Sequence, residues 1–277
     1  MMQVLRKHYP EYLMEAAGLG ILLMVAGGMA FLLRHPALSI HQFITEPILQ
    51  RLLTGLVMGL TVISIVYSPW GQQSGAHLNP VVTFTFFRLG KIHPIDAGFY
   101  ILFQFLGGLT GLLLLNQILR GAIAHPKVHF VVTQPGPSGV FAAFLAEFTI
   151  ATGMMLMVLF VSNTPRLARY TGLFAGMLFA TYITIEAPLS GMSMNPARTF
   201  ASALSAQSWT DIWIYFTAPL AGMLLAAEVY VRLKGRKAVR CAKLHHLNNK
   251  RCIFRCGYRD LTVRNGQFVL SDKLPGS

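Results

Sequence analysis

Six apolar runs, at about residues 12–33, 49–70, 95–119, 139–162, 169–187 and 211–233, dominate this chain. Each is long enough to cross roughly 30 Å of hydrocarbon as a helix. With no water in that layer, backbone N–H and C=O groups must satisfy one another, so six such runs predict an all-α membrane protein. Composition points the same way: of 277 residues, 54% are hydrophobic and 12% charged, and the mean hydropathy is +0.53. A soluble domain is not built from this. The first run is not read as a cleavable signal peptide, because it exceeds a short h-region, carries Glu15 and is followed by no small-residue cleavage site.

A formal net charge of +13 raises the question of nucleic acid, but the positions of Lys and Arg answer it otherwise. An N-terminus on the inside puts Arg6, Lys7, Arg88, Lys91, Arg166, Arg169 and the tail from Arg232 to Lys273 in the cytoplasm. Arg34, Arg51, Arg120 and Lys127 are then outside. The expectation is an integral, multi-pass membrane protein with both termini cytoplasmic and no nucleic-acid partner. The basic excess after the last span suits anionic lipid headgroups.

The two halves resemble one another. "YLMEAAGLGILLMV" and "FLAEFTIATGMMLMV" each open a half with a glutamate, Glu15 and Glu147, and "DAGFYILFQFLGG" aligns with "DIWIYFTAPLAGM" so that Asp96, Tyr100 and Gly107 match Asp211, Tyr215 and Gly222. Three spans per half is an odd number, so the second half enters the membrane from the other side and the repeat is inverted. The chain divides into a cytoplasmic N-terminus (1–11), a first half (12–120), an external connection (121–138), a second half (139–235) and a basic tail (236–277).

Between the second and third span of each half lies "SGAHLNPVVTF" (74–84) or "SGMSMNPARTF" (190–200). Asn is a strong N-cap and Pro at the first helical position has no orphan donor, so Asn79-Pro80 and Asn195-Pro196 predict short helices over about 79–88 and 195–204. Starting from opposite faces, these re-entrant half-helices meet N-terminus to N-terminus at the midplane. Their dipole ends repel cations and protons, while the Asn amides offer donors to neutral solutes.

These paired boxes, Asn79-Pro80-Val81 and Asn195-Pro196-Ala197, resemble those of the aquaporin, or major intrinsic protein, family over roughly residues 10 to 235. The second half is most similar to the plant nodulin-type branch. The resemblance implies six tilted helices plus two half-helices around a pore, a homotetramer, and a passive channel with no cofactor for transport and no enzymatic chemistry. It also implies an outer filter at Arg198, Met58, Ile183 and Met192, with Gly59 the alternative to Met58, and loop support from Glu15 and Glu147. Val81 in place of Ala is expected to shift the constriction, and His77 to brace the loop. The filter is apolar apart from Arg198, and Thr199 follows that arginine. Water is the primary expected permeant, with glycerol, urea, ammonia or undissociated metalloid acids kept open. An ion-coupled secondary transporter and a structural membrane protein with a closed pore are the rivals from other classes.

The tail stretch "CAKLHHLNNKRCIFRC" holds Cys241, His245, His246, Cys252 and Cys256, followed by Asn265-Gly266 between two apolar strands, a hairpin signal. A small zinc-stapled module is one reading. The spacings fit no strong zinc pattern, and a flexible basic tail with incidental cysteines is the plainer one. On either, the pore is expected to lie wholly before residue 235.

Overall fold

The computed structural model describes residues 1–258, 261–264 and 267–270. Its first half runs through α1 (Met2–Arg34), the single turn α2 (Ile40–Phe43), α3 (Pro47–Tyr67), the short α4 (Pro69–Ser74), the half-helix α5 (Pro80–Arg88) and α6 (Pro94–Ile118). The second half repeats the order with α7 (Gly139–Ser162), α8 (Thr171–Ile185), the single turn α9 (Ala187–Ser190), the half-helix α10 (Pro196–Ala206) and α11 (Trp213–Lys234). Each half thus has three main helices with a half-helix between the second and third, and among the described residues five of these six, all but α8, are long and apolar enough to cross a membrane.

The fifth span departs from its expected extent, since α8 is 15 residues long and stops at Ile185. Pro188 explains the stop. It has no N–H to return to the carbonyl of Thr184, and that oxygen instead accepts from Arg51 Nε at 3.0 Å.

Helix α1 packs along α6, α7 along α11, and α3 along α8, so the α3–α8 seam is where the two repeats face each other. Glycines set its closeness. A Cβ on Gly59 would stand 2.5 Å from the carbonyl oxygen of Gly176, and one on Gly176 would stand 2.5 Å from that of Gly59. Outward-facing Leu60, Leu102, Phe141, Met177 and Ile185 are exposed, as a hydrocarbon-facing surface requires. The buried interior instead holds Glu15, Glu147, Gln104, Thr83 and Thr199.

The tail is not loose over its first part. After a 3-10 turn (Arg236–Ala238), residues 239–258 have no long regular element, yet Val239, Cys241, Ala242, Lys243, Leu244 and Phe254 are buried. Beyond them β1 (Leu261–Arg264) pairs antiparallel with β2 (Gln267–Leu270), Arg264 opposite Gln267. The turn residues Asn265 and Gly266, and Lys273, lie outside the described residues.

Candidate functional site

The site is built where the two half-helices meet. Asn79 caps α5, its Oδ1 accepting from Val81 N–H at 2.9 Å, while its Nδ2 donates across the junction to the Met194 carbonyl at 2.7 Å. Asn195 reciprocates: Oδ1 accepts from Ala197 and Arg198 N–H at 3.1 and 3.3 Å, and Nδ2 donates to the Leu78 carbonyl at 2.7 Å. Each side-chain amide has two N–H donors. The crossed bonds use one of each pair, and both asparagines line the central cavity. Pro80, Pro196, Val81 and Ala197 are buried and absent from the cavity wall, so Val81 does not narrow it directly.

Two carboxylates hold the loops that carry these asparagines. Glu15 accepts from Ser74 Oγ (2.8 Å), His77 N–H (3.0 Å), Leu78 N–H (2.7 Å) and Gln104 Nε2 (2.9 Å). Glu147 accepts from Ser190 Oγ (2.6 Å), Ser193 N–H (2.7 Å) and Met194 N–H (2.7 Å). The loops need this support because Ala76, Leu78, Met192 and Met194 all have φ between 51° and 54°, a left-handed conformation that side chains with a Cβ resist.

The cavity has a volume of about 470 Å³. Met58, Ile183, Met192 and Arg198 all lie in its wall, and Gly59 does not, being turned to the α3–α8 seam. Arg198 Nη1 is buried with no hydrogen-bond partner among the described residues, a donor left for whatever enters. Toward the face opposite the termini, Arg34 and Arg51 join the lining. Two guanidinium groups therefore stand at this mouth.

At the face bearing the termini, the tail enters the site. Leu244 is part of the cavity wall, which corrects the expectation of a pore ending before residue 235. His77 Nε2 donates to the Ala242 carbonyl at 2.7 Å, and its ring stacks between Phe86 and Phe254 with centroids 5.4 Å from each. Its Nδ1 is 3.0 Å from the Thr83 hydroxyl, which also accepts from Gln104 Nε2 at 3.1 Å. With Nε2 donating, Nδ1 is the acceptor, and the Thr83 proton goes to it. Nearby, the donor atoms of Cys241, His246, Cys252 and Cys256 lie within 4.8 Å of one another, whereas His245 packs edge-on against Tyr67 at 5.1 Å.

Sequence reasoning missed Leu244, Val82, Arg34 and Arg51 in the wall. Val82 had a signal: it lies 116 residues before Arg198, as Asn79 does before Asn195. Leu244 had none, because its backbone N–H bonds the Gly75 carbonyl (3.1 Å) from far along the chain.

Comparison with known proteins bears on this geometry. A sequence profile for the family described as Major intrinsic protein matches residues 6–230. Aquaporin NIP2-2 of Zea mays is 34% identical over 182 residues, covering 65% of this chain and 59% of that protein. Probable aquaporin NIP7-1 of Arabidopsis thaliana is 36% identical over 183 residues, covering 64% of each. The chain therefore spans less than two thirds of the length of these relatives. Among solved structures, the aquaglyceroporin from Plasmodium falciparum superposes with a TM-score of 0.66 over 83% of this chain and 98% of that one, at 22% identity, a likeness of fold.

Proposed function

The chain belongs to the major intrinsic protein family, and on that premise we propose that it is a passive membrane channel for water and small uncharged solutes. The observation that carries the reading is the reciprocal Asn79–Met194 and Asn195–Leu78 pairing, which leaves spare amide donors on the wall of a continuous cavity. A permeant that accepts hydrogen bonds is steadied there without being bound tightly. The positive ends of α5 and α10, with Arg198, oppose cations and hydrated protons.

Within this reading Arg198, Met58, Ile183 and Met192 form the selectivity filter, with Arg198 the one polar member. Water is the first permeant, and glycerol, urea, ammonia and undissociated metalloid acids are the alternatives that an apolar ring admits. The Lys and Arg distribution supports cytoplasmic termini, and membership of the family supports a homotetramer in lipid. A coupled transporter is disfavoured because Glu15 and Glu147 are engaged by loop N–H and hydroxyl groups, and Glu186, bonded to the Ser190 hydroxyl, does not line the cavity.

Stopped-flow light scattering on proteoliposomes tests this, comparing shrinkage driven by sucrose, glycerol and urea in one preparation. The expected result is fast water flux that needs no driving ion. Water flux no faster than in empty liposomes would overturn the channel reading.

A further inference from the structure

The Cys/His cluster at the face bearing the termini is assembled as a metal shell. Cys241 Sγ and Cys252 Sγ are 3.6 Å apart, and His246 Nε2 is 2.9 Å from Cys256 Sγ. A tetrahedron with zinc–sulfur bonds near 2.3 Å has edges of about 3.8 Å, so the four atoms need small shifts to surround one ion. Two sulfurs 3.6 Å apart are far beyond the roughly 2.05 Å of a disulfide. Three thiolates and one imidazole make a donor set typical of closed structural sites rather than catalytic ones. Binding displaces three thiol protons to solvent and leaves a site of net charge −1. Lys243 Nζ, held by the Lys250 and Arg251 carbonyls at 3.3 and 2.8 Å, brings a positive charge beside Cys252.

The segment needs such a staple. Residues 239–258 contain no helix or strand, and a piece this short cannot bury a core of its own. What it does instead is dock. Arg251 pairs with Glu11 on α1, Arg255 N–H donates to the Lys91 carbonyl at 2.9 Å, and Tyr258 Oη donates to the Ser162 carbonyl at the end of α7 at 2.8 Å. The knot therefore bridges both repeats. Its inner edge holds His77 through Ala242 and places Leu244 in the cavity wall.

We propose that Cys241, His246, Cys252 and Cys256 bind one Zn²⁺, and that the metal holds residues 239–258 as a cap whose Leu244 restricts the pore from the face bearing the termini. The restriction rests on the channel reading; the metal site does not.

The test uses the full-length protein purified under reducing, zinc-replete conditions. Elemental analysis should find one zinc per chain, and Co²⁺ exchanged into the site should give thiolate charge-transfer absorption that Cys252→Ser with Cys256→Ser abolishes. Chelation should speed protease cleavage within 239–258 by about tenfold or more and raise water flux several-fold. Leu244→Ala should raise flux similarly while keeping its zinc. Substoichiometric metal without a thiolate band overturns the site. Full occupancy with cleavage and flux indifferent to metal removal overturns the cap. If no form conducts, including one lacking residues 239–277, the channel reading and the restriction fall together, while metal content and cleavage still decide the site.

Discussion

The two re-entrant loops share a skeleton 116 residues apart, and they differ in what they show to the central cavity. Ser74 and Ser190, Gly75 and Gly191, Asn79 and Asn195, and Thr83 and Thr199 recur in register. Tyr100 and Tyr215 donate to the carbonyls of Ser74 and Ser190 in the same way. These residues satisfy or shape backbone. The departures lie elsewhere: Val82 stands where the other loop has Arg198, and His77 where it has Ser193. Ser193 Oγ reaches only its own loop, to Thr199 at 2.6 Å, whereas His77 spans the loop and the tail. Duplication has kept what holds the loops at membrane depth, where an unpaired peptide group is costly, and changed what a permeant or a cap would meet.

The largest effect should come from breaking what the loops share. Asn195→Leu or Asn79→Leu removes a cap, a cross-loop donor and a pore donor together. Losses on the order of 1–3 kcal/mol correspond to roughly 5- to 150-fold in rate, so water flux should fall at least about fivefold in protein shown to be folded by circular dichroism. Flux unchanged in a folded Asn195→Leu protein would remove the pore assignment.

Arg198→Val makes the second loop match the first at its most different position. Glycerol and urea flux should rise severalfold, and ionic current in planar bilayers, expected to be absent in the wild type, should become measurable. A selectivity no different from wild type would show that the asymmetry is not the filter.

His77→Ser makes the converse exchange. It deletes the bond to Ala242 and the stacking on Phe254, weakening tail docking by about 1 kcal/mol, which protease sensitivity within 239–258 should register as a several-fold increase. Cleavage as slow as in the wild type would show that His77 holds only its own loop.

The smallest effect expected is none. With Met192 rather than cysteine at the proposed filter, mercury should not block water flux once Cys241, Cys252 and Cys256 are serine. Block that persists would place a reactive group in the pore that the comparison of loops has missed.

Legibility in the sequence follows the range of the interactions. The spans and half-helices are local matters of apolar length, Asn caps and Pro at the first turn, and α5 and α10 begin at Pro80 and Pro196 as that chemistry dictates. Glu15 and Glu147 stood out by symmetric position, although their bonds cross about 60 and 45 residues of chain. Met58 and Gly59 could not be separated by pattern, since one residue of register decides which faces the cavity. The tail was least legible. Its ligand spacing follows no familiar scheme because the chain wraps the buried Lys243, whose Nζ donates to the Arg251 carbonyl at 2.8 Å, and its docking joins residues 165 apart.

The reciprocal approach of Gly59 and Gly176 makes the bore of the central cavity a backbone dimension. Met58 precedes one glycine on α3, and Ile183 lies two helical turns beyond the other on α8, so both side chains ride on walls whose spacing is gauged by carbonyl oxygens rather than by rotamers. A single methyl at either glycine would meet an oxygen at 2.5 Å and wedge the walls apart. Calibre and lining chemistry can therefore be tuned separately, the first from a seam outside the cavity wall.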